Sequence, residues 1–130
     1  MIALVRSVLC DLMPRSAQLP GIEDTGVAAF LVKLRRESTS LYWTGLVAGA
    51  VVYAFTPVLS VGLPLPSFLL PARLRDLHAQ RIVKSNLYLV RQAVFLLRLS
   101  AGMCWGMHPT IRTHFGLTPY PEDPGTLRTT

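Results

Sequence analysis

Charge is what this sequence has least of. Only 15% of its 130 residues are charged, against roughly 25% in an ordinary soluble domain. Acids are the scarcer sign: seven Asp+Glu against thirteen Lys+Arg leave a net +6. The two cysteines, Cys10 and Cys104, are too few and too far apart for a disulfide framework or a metal site. They read as buried apolar thiols, with no role assigned to either. No G-x-G-x-x-G and no G-x-x-x-x-G-K-[ST] is present, so the chain has no phosphate-cradling loop of its own. No basic cluster exceeds Arg35-Arg36 and no CxxC…HxxxH spacing occurs, which argues against nucleic acid as a partner. No A-x-A cleavage site follows the apolar Met1–Leu12 stretch, and no twin-arginine signal precedes an apolar run. With no export signal, the expected location is cytoplasmic or membrane-associated.

Apolar residues are abundant, at 51% of the chain. That excludes a disordered tail, which needs low hydrophobicity and high charge. A domain of this length buries less than ~70% of its chain surface, so the excess calls for a membrane or a large partner. Ten prolines and nine glycines are too many for a plain helical bundle.

Periodicity indicates helices throughout. Apolar residues at 4, 5, 8, 9 and 12 make one helix face over Met1–Met13, and Pro14 ends it. A second amphipathic helix runs from about Glu23 to Glu37, with Val27, Phe30, Leu31 and Leu34 on one side. No residue from Ser38 to Ala72 carries a formal charge. Within that run Leu41–Thr56 reads as helix, short of the ~20 residues a membrane span needs. Extended through Pro57 to Leu63 it reaches that length with a kink. Gly45 and Gly49 form a GxxxG, so another helix can approach closely, in a soluble core or in lipid. Val61–Pro71 reads as a proline-spaced linker. A helix opened by Pro71 then continues as far as Met103, with a break near Ser85-Asn86, and its apolar face is Leu87, Val90, Val94, Leu97 and Ala101. Lys84, Arg91 and Arg98 are seven apart and predict one cationic stripe, either a solvated face or a dock for acidic groups. His108-Pro109 starts a short helical turn that Gly116 can cap. The expected fold is all-α: a small irregular bundle of about four helices over 1–117, a proline-rich crossover, and an extended C-terminal arm over 118–130.

Catalytic groups are thin. His78, His108 and His114 stand apart from any acid at metal-ligand spacing. Cys104 and His108 are the nearest approach to a thiol–base pair, and they lack an orienting third group. No catalytic, cofactor or metal residue is assigned, and the chain is poorly equipped as an independent enzyme. Large apolar or amphipathic groups cluster late in the chain instead. Trp105, Met107, Phe115 and Tyr120, with His108 beside them, are candidate interface anchors. Arg91 and Arg98 join them as candidate docking charges.

Several segments together resemble a family. Val8-Leu9-Cys10-Asp11-Leu12-Met13-Pro14 resembles the opening of the helical region that precedes the flavin domain of long-chain alcohol oxidases. Leu19-Pro20-Gly21 with Thr25–Phe30 is similar to the start of the small gluconate 2-dehydrogenase subunit-3 type of protein. His108-Pro109 through Gly116-Leu117 to Tyr120-Pro121 is similar to the finish of that group. The resemblance implies a non-catalytic companion subunit of a glucose–methanol–choline (GMC) type flavoprotein oxidoreductase. The large partner would form the hetero-oligomer and carry the FAD. The alternative expectation, from a different class, is a small membrane-anchored or membrane-peripheral protein with an apolar helix at 41–63.

Overall fold

Proline and glycine cut the chain into more pieces than its hydropathy suggests. The computed structural model describes residues 1–118. These form seven α-helices and two 3-10 turns: α1 (Ile2–Leu12), a turn at Ile22–Thr25, α2 (Val27–Glu37), α3 (Ser40–Phe55), α4 (Pro57–Ser60), a turn at Ser67–Leu69, α5 (Ala72–Ile82), α6 (Tyr88–Met107) and α7 (Pro109–His114). The all-α class holds, but the expected count of about four helices is corrected to seven. The expected second helix is divided at Gly26, whose φ of +72° is a left-handed conformation that favours glycine. The helix expected after Pro71 breaks at residues 83–87, around the expected Ser85-Asn86, and α6 then runs past the expected end at Met103 to Met107, through Gly102 and Gly106. The arm from 119 onward, Tyr120 included, lies outside the described residues.

Pro57 has the largest local effect. It occupies the first position of α4, where its missing N–H costs nothing. That same absence leaves the Tyr53 carbonyl without its i+4 donor. His78 Nε2 donates to that carbonyl at 2.9 Å, and Thr56 Oγ1 adds a second bond at 3.2 Å. The helix expected over Leu41–Thr56 is α3, ending at Phe55, and of the extension to Leu63 that the membrane alternative needed α4 supplies only one turn. No helix among the described residues is long and apolar enough to cross a membrane. The membrane-anchored alternative, and the membrane contact it carried, lose the spanning helix they rested on.

The centre of the fold is an antiparallel pair, α3 and α6. Tyr42 near the start of α3 donates to Ser100 Oγ at 2.6 Å, and Ser100 donates onward to Leu96 O at 3.0 Å. Further along, Gly49 backs onto α6 so closely that an added Cβ would stand 3.2 Å from Ala93 O. On one side of this pair α1, α2, the Ile22–Thr25 turn and α5 close the core. Val5, Val8 and Leu9 of α1 and Leu31 of α2 meet Leu46, Ala50 and Tyr53 of α3 and Val94, Leu97 and Ala101 of α6. The apolar faces expected of α1 and α2 are those that turn inward. For α6 the same holds from Val90 to Ala101, while Leu87 precedes the helix and is exposed.

Candidate interaction face

The other side of the α3–α6 pair is open and apolar. Residues three and four apart share a helix face. On α3 the exposed positions 41, 44, 48, 51 and 55 follow that spacing and are Leu, Thr, Ala, Val and Phe. On α6 the matching exposed stripe is Leu89, Gln92, Phe95, Leu99 and Met103. Each stripe lies on the far side of the α3–α6 seam from the core, so the two adjoin. Leu41 and Leu89 are about four-fifths exposed, at 82% and 80%, and Phe55 and Phe95 about three-fifths. Together with Val51, Leu99 and Met103 they offer roughly 600–800 Å² of surface, at ~150–200 Å² for a fully exposed large side chain. A monomer's largest apolar patch is ordinarily ~300–600 Å², and each side of a standard interface buries ~800 Å².

Neither α3 nor α6 contains an Asp or Glu. The only charges on the pair are Arg91 and Arg98, both exposed, which flank Phe95 from four positions before and three after. Arg91 lies over the Tyr88 ring, 5.9 Å from its centroid, and Nη1 reaches Ser85 O at 3.5 Å. Lys84 belongs to the turn before α6, so the expected three-residue stripe on one helix is corrected to two. Lys84 does share a groove of ~440 Å³ with Arg98, Asp11, Asp76 and Gln80.

The other residues singled out from the sequence gather at the C-terminal end of α6. Trp105 is half-buried: its indole Nε1 donates to Pro20 O at 2.9 Å, and its ring meets Phe115 edge-on at 6.1 Å. Met107 and His108 line a shallow groove with Thr25, Phe30 and Cys104. His108 also caps α7, accepting from the Thr110 N–H at 3.3 Å. Phe115 is exposed. Trp105 lies seven residues beyond Arg98 on the same side of α6, away from the open face. The open face itself was missed in the sequence. Its signal was present: α3 is apolar on every side, and such a helix needs covering on every side.

The titratable groups form a separate, mostly buried set under α1, α4 and α5. Asp11 Oδ1 stands 3.9 Å from Arg75 Nη1, and the Asp11 side chain is 10% exposed. Burial pushes its carboxyl up to about 6, with Arg75 opposing and Asp76 adding. The buried Tyr53 phenol faces it and is held well above its ordinary value, by burial first and then by Asp11. His78 is fully buried. Because Nε2 donates to Tyr53 O, Nδ1 accepts from the Ser60 hydroxyl, and burial lowers the imidazole's pKa. This Ser–His pair fastens α4 to α5, assisted by Arg81 Nη1 on Ser60 O at 2.8 Å. Cys104 is buried, its Sγ is 3.5 Å from Thr25 Oγ1, and burial raises its pKa. Burial also raises Cys10. A raised thiol pKa leaves little thiolate at neutral pH. Among the described residues no group of three His, Cys, Asp or Glu is placed to hold a metal ion.

Comparison with protein-family models, with curated proteins and with solved structures finds no match to this chain. The flavoprotein oxidoreductase partner implied by the resemblance, and the FAD expected with it, gain no support and are set aside. The open α3–α6 face is what remains to be explained.

Proposed function

We propose that this chain is a non-catalytic companion subunit whose open α3–α6 face is covered by a larger protein. One observation carries the reading: the two longest helices are packed on one side only, leaving an apolar patch at or above the upper end of what monomers ordinarily expose. The buried Cys104 and the use of His108 as a helix cap weigh against a thiol–base centre in this chain. The Ser60–His78 pair is engaged in the fold's own fastening of α4 to α5.

The test is purification of the tagged chain from its own cells after mild cross-linking. A partner in fixed ratio is expected, and Phe95→Ser with Leu99→Ser should release it while leaving the helical circular dichroism unchanged. A monodisperse monomer whose behaviour those substitutions leave untouched overturns the reading.

A further inference from the structure

The ~440 Å³ groove between α1, α5 and α6 is acidic at one end and basic at the other. Asp11 and Leu12 line it from the last turn of α1, and Asp76 and Ala79 from α5. Asp11 and Asp76 also share an adjoining groove with Ala72 and Arg75, which puts both carboxylates at the same end. Lys84 lies eight residues past Asp76, ~12 Å along the helix direction. Leu12 also lines the pocket at Trp105, so the end of α1 stands beside the C-terminal half of α6. Arg98 is seven residues back from Trp105, ~10 Å, and so stands toward the Lys84 end. Between the charges the wall is apolar, from Leu12, Ala79 and Val83.

The acid end is short of positive charge. Asp11 occupies the last turn of α1, where the helix dipole is already negative and no basic residue offsets it. Its side chain is only 10% exposed, with Oδ1 3.9 Å from Arg75 Nη1. Oδ2 has no hydrogen-bond partner among the described residues. A carboxylate so placed is stabilised by a bound cation. Asp76, Lys84 and Arg98 form no ion pair with a described residue. Opposite charges that line one groove without pairing are joined by a ligand that carries both.

We infer that this groove binds a linear aminocarboxylate, with its ammonium at Asp11 and Asp76 and its carboxylate at Lys84 and Arg98. Its methylene chain lies over Leu12, Ala79 and Val83, and the Arg98 guanidinium offers the carboxylate a two-pronged contact. An α-amino acid, with one carbon between its charges, reaches only one end. A spacer of roughly 7 Å, the length of two extended residues, lets the flexible Lys84 and Arg98 side chains close on the far end. A free ω-amino acid has this chemistry, and so does a lysine at the C-terminus of a protein chain. The groove lies on the side of α6 away from the open face, so the site goes beyond the companion reading and does not depend on it.

The full chain, held soluble by a fused carrier domain, is titrated with 6-aminohexanoate, hexanoate, hexylamine and glycine by ligand-observed NMR. 6-Aminohexanoate should bind with a millimolar Kd or tighter, about tenfold or more tighter than either singly charged analogue, and glycine should not bind. Asp76→Asn and Arg98→Gln change exposed side chains without ion pairs, so the circular dichroism should not move. Each should weaken 6-aminohexanoate about fivefold or more, and Asp76→Asn should leave hexanoate unaffected. No binding of 6-aminohexanoate at tens of millimolar overturns the inference. So does hexylamine or hexanoate binding as tightly, or binding that both substitutions leave unchanged. A peptide ending in lysine separates the two sources. Tighter binding than 6-aminohexanoate, lost when its C-terminus is amidated, supports the site and assigns it to a chain terminus. Weaker binding supports it as a site for the free ω-amino acid.

Discussion

Trp105 Nε1 donates to the carbonyl of Pro20 at 2.9 Å, joining residues 85 apart in sequence. The bond holds the loop after α1 against the C-terminal half of α6. Ser16 and Leu19 close that loop on itself, through Ser16 N to Leu19 O at 3.1 Å, but only Trp105 among its hydrogen-bond partners reaches it from α6. Trp105→Phe keeps an aromatic ring and removes the donor. We expect a loss of ~1 kcal/mol in denaturant unfolding, with faster amide exchange confined to residues 14–22. Unchanged exchange there would show that the loop is held by something else.

Gly45 and Gly49 should respond oppositely to alanine. At Gly49 the new Cβ meets Ala93 O at 3.2 Å, a backbone atom of a packed helix that cannot turn aside. Separation of α3 from α6 should cost ~1–3 kcal/mol, as overpacking does. At Gly45 the nearest atom is the Leu96 Cδ2 methyl at 3.4 Å, which can rotate. There the better helix propensity of alanine should stabilise by up to ~1 kcal/mol. Thermal melts of the two single variants decide this, and equal shifts of the same sign would contradict it.

Asp11 should make the fold less stable as pH rises. Its carboxyl is pushed from 3.8 to about 6 in the folded chain. Between those values the folded state keeps a proton that the unfolded state has released, so stability falls from about pH 4 and the loss is complete above about pH 6. Asp11→Asn should flatten that window and raise stability at pH 7.5, on the order of 1–3 kcal/mol. Denaturant midpoints measured from pH 4 to 8 test it. A less stable Asn variant at pH 7.5 would mean that the charge is net favourable beside Arg75.

His78 should act in the other direction. Burial lowers its folded value below 6.5, so on acidification the unfolded chain takes the proton first. The stability it contributes is present above about pH 6.5 and is lost as pH falls toward the folded value. His78→Gln should weaken the α4–α5 fastening at pH 7.5 yet remove the acid-side loss due to this residue. Paired with Asp11→Asn, it should give a nearly flat profile from pH 4 to 7.

Helix positions were legible because they depend on local chemistry. The 4, 5, 8, 9, 12 pattern of α1, the Val27–Leu34 face of α2 and the Pro14, Pro57 and Pro109 boundaries follow from periodicity and from the missing N–H of proline. The helix count was less legible. Glu23-Asp24-Thr25 read as the first turn of the same helix as Val27–Glu37, and the left-handed Gly26 between them makes it a separate 3-10 turn.

The sequence by itself determined an all-helical chain with a charge-poor centre and a pair of glycines built for close helix contact. Only the tertiary structure decided that this contact is internal, spent on α6 at Ala93, and that the surplus apolar surface emerges on the opposite side of α3. It also decided that Trp105 fastens a loop from within the chain. The reason is physical. Periodicity tells which residues share a face, but α3 is apolar on every face and α6 on two. Which of those faces is buried depends on where α1, α2 and α5 come to rest, and those contacts are made by residues far apart in sequence.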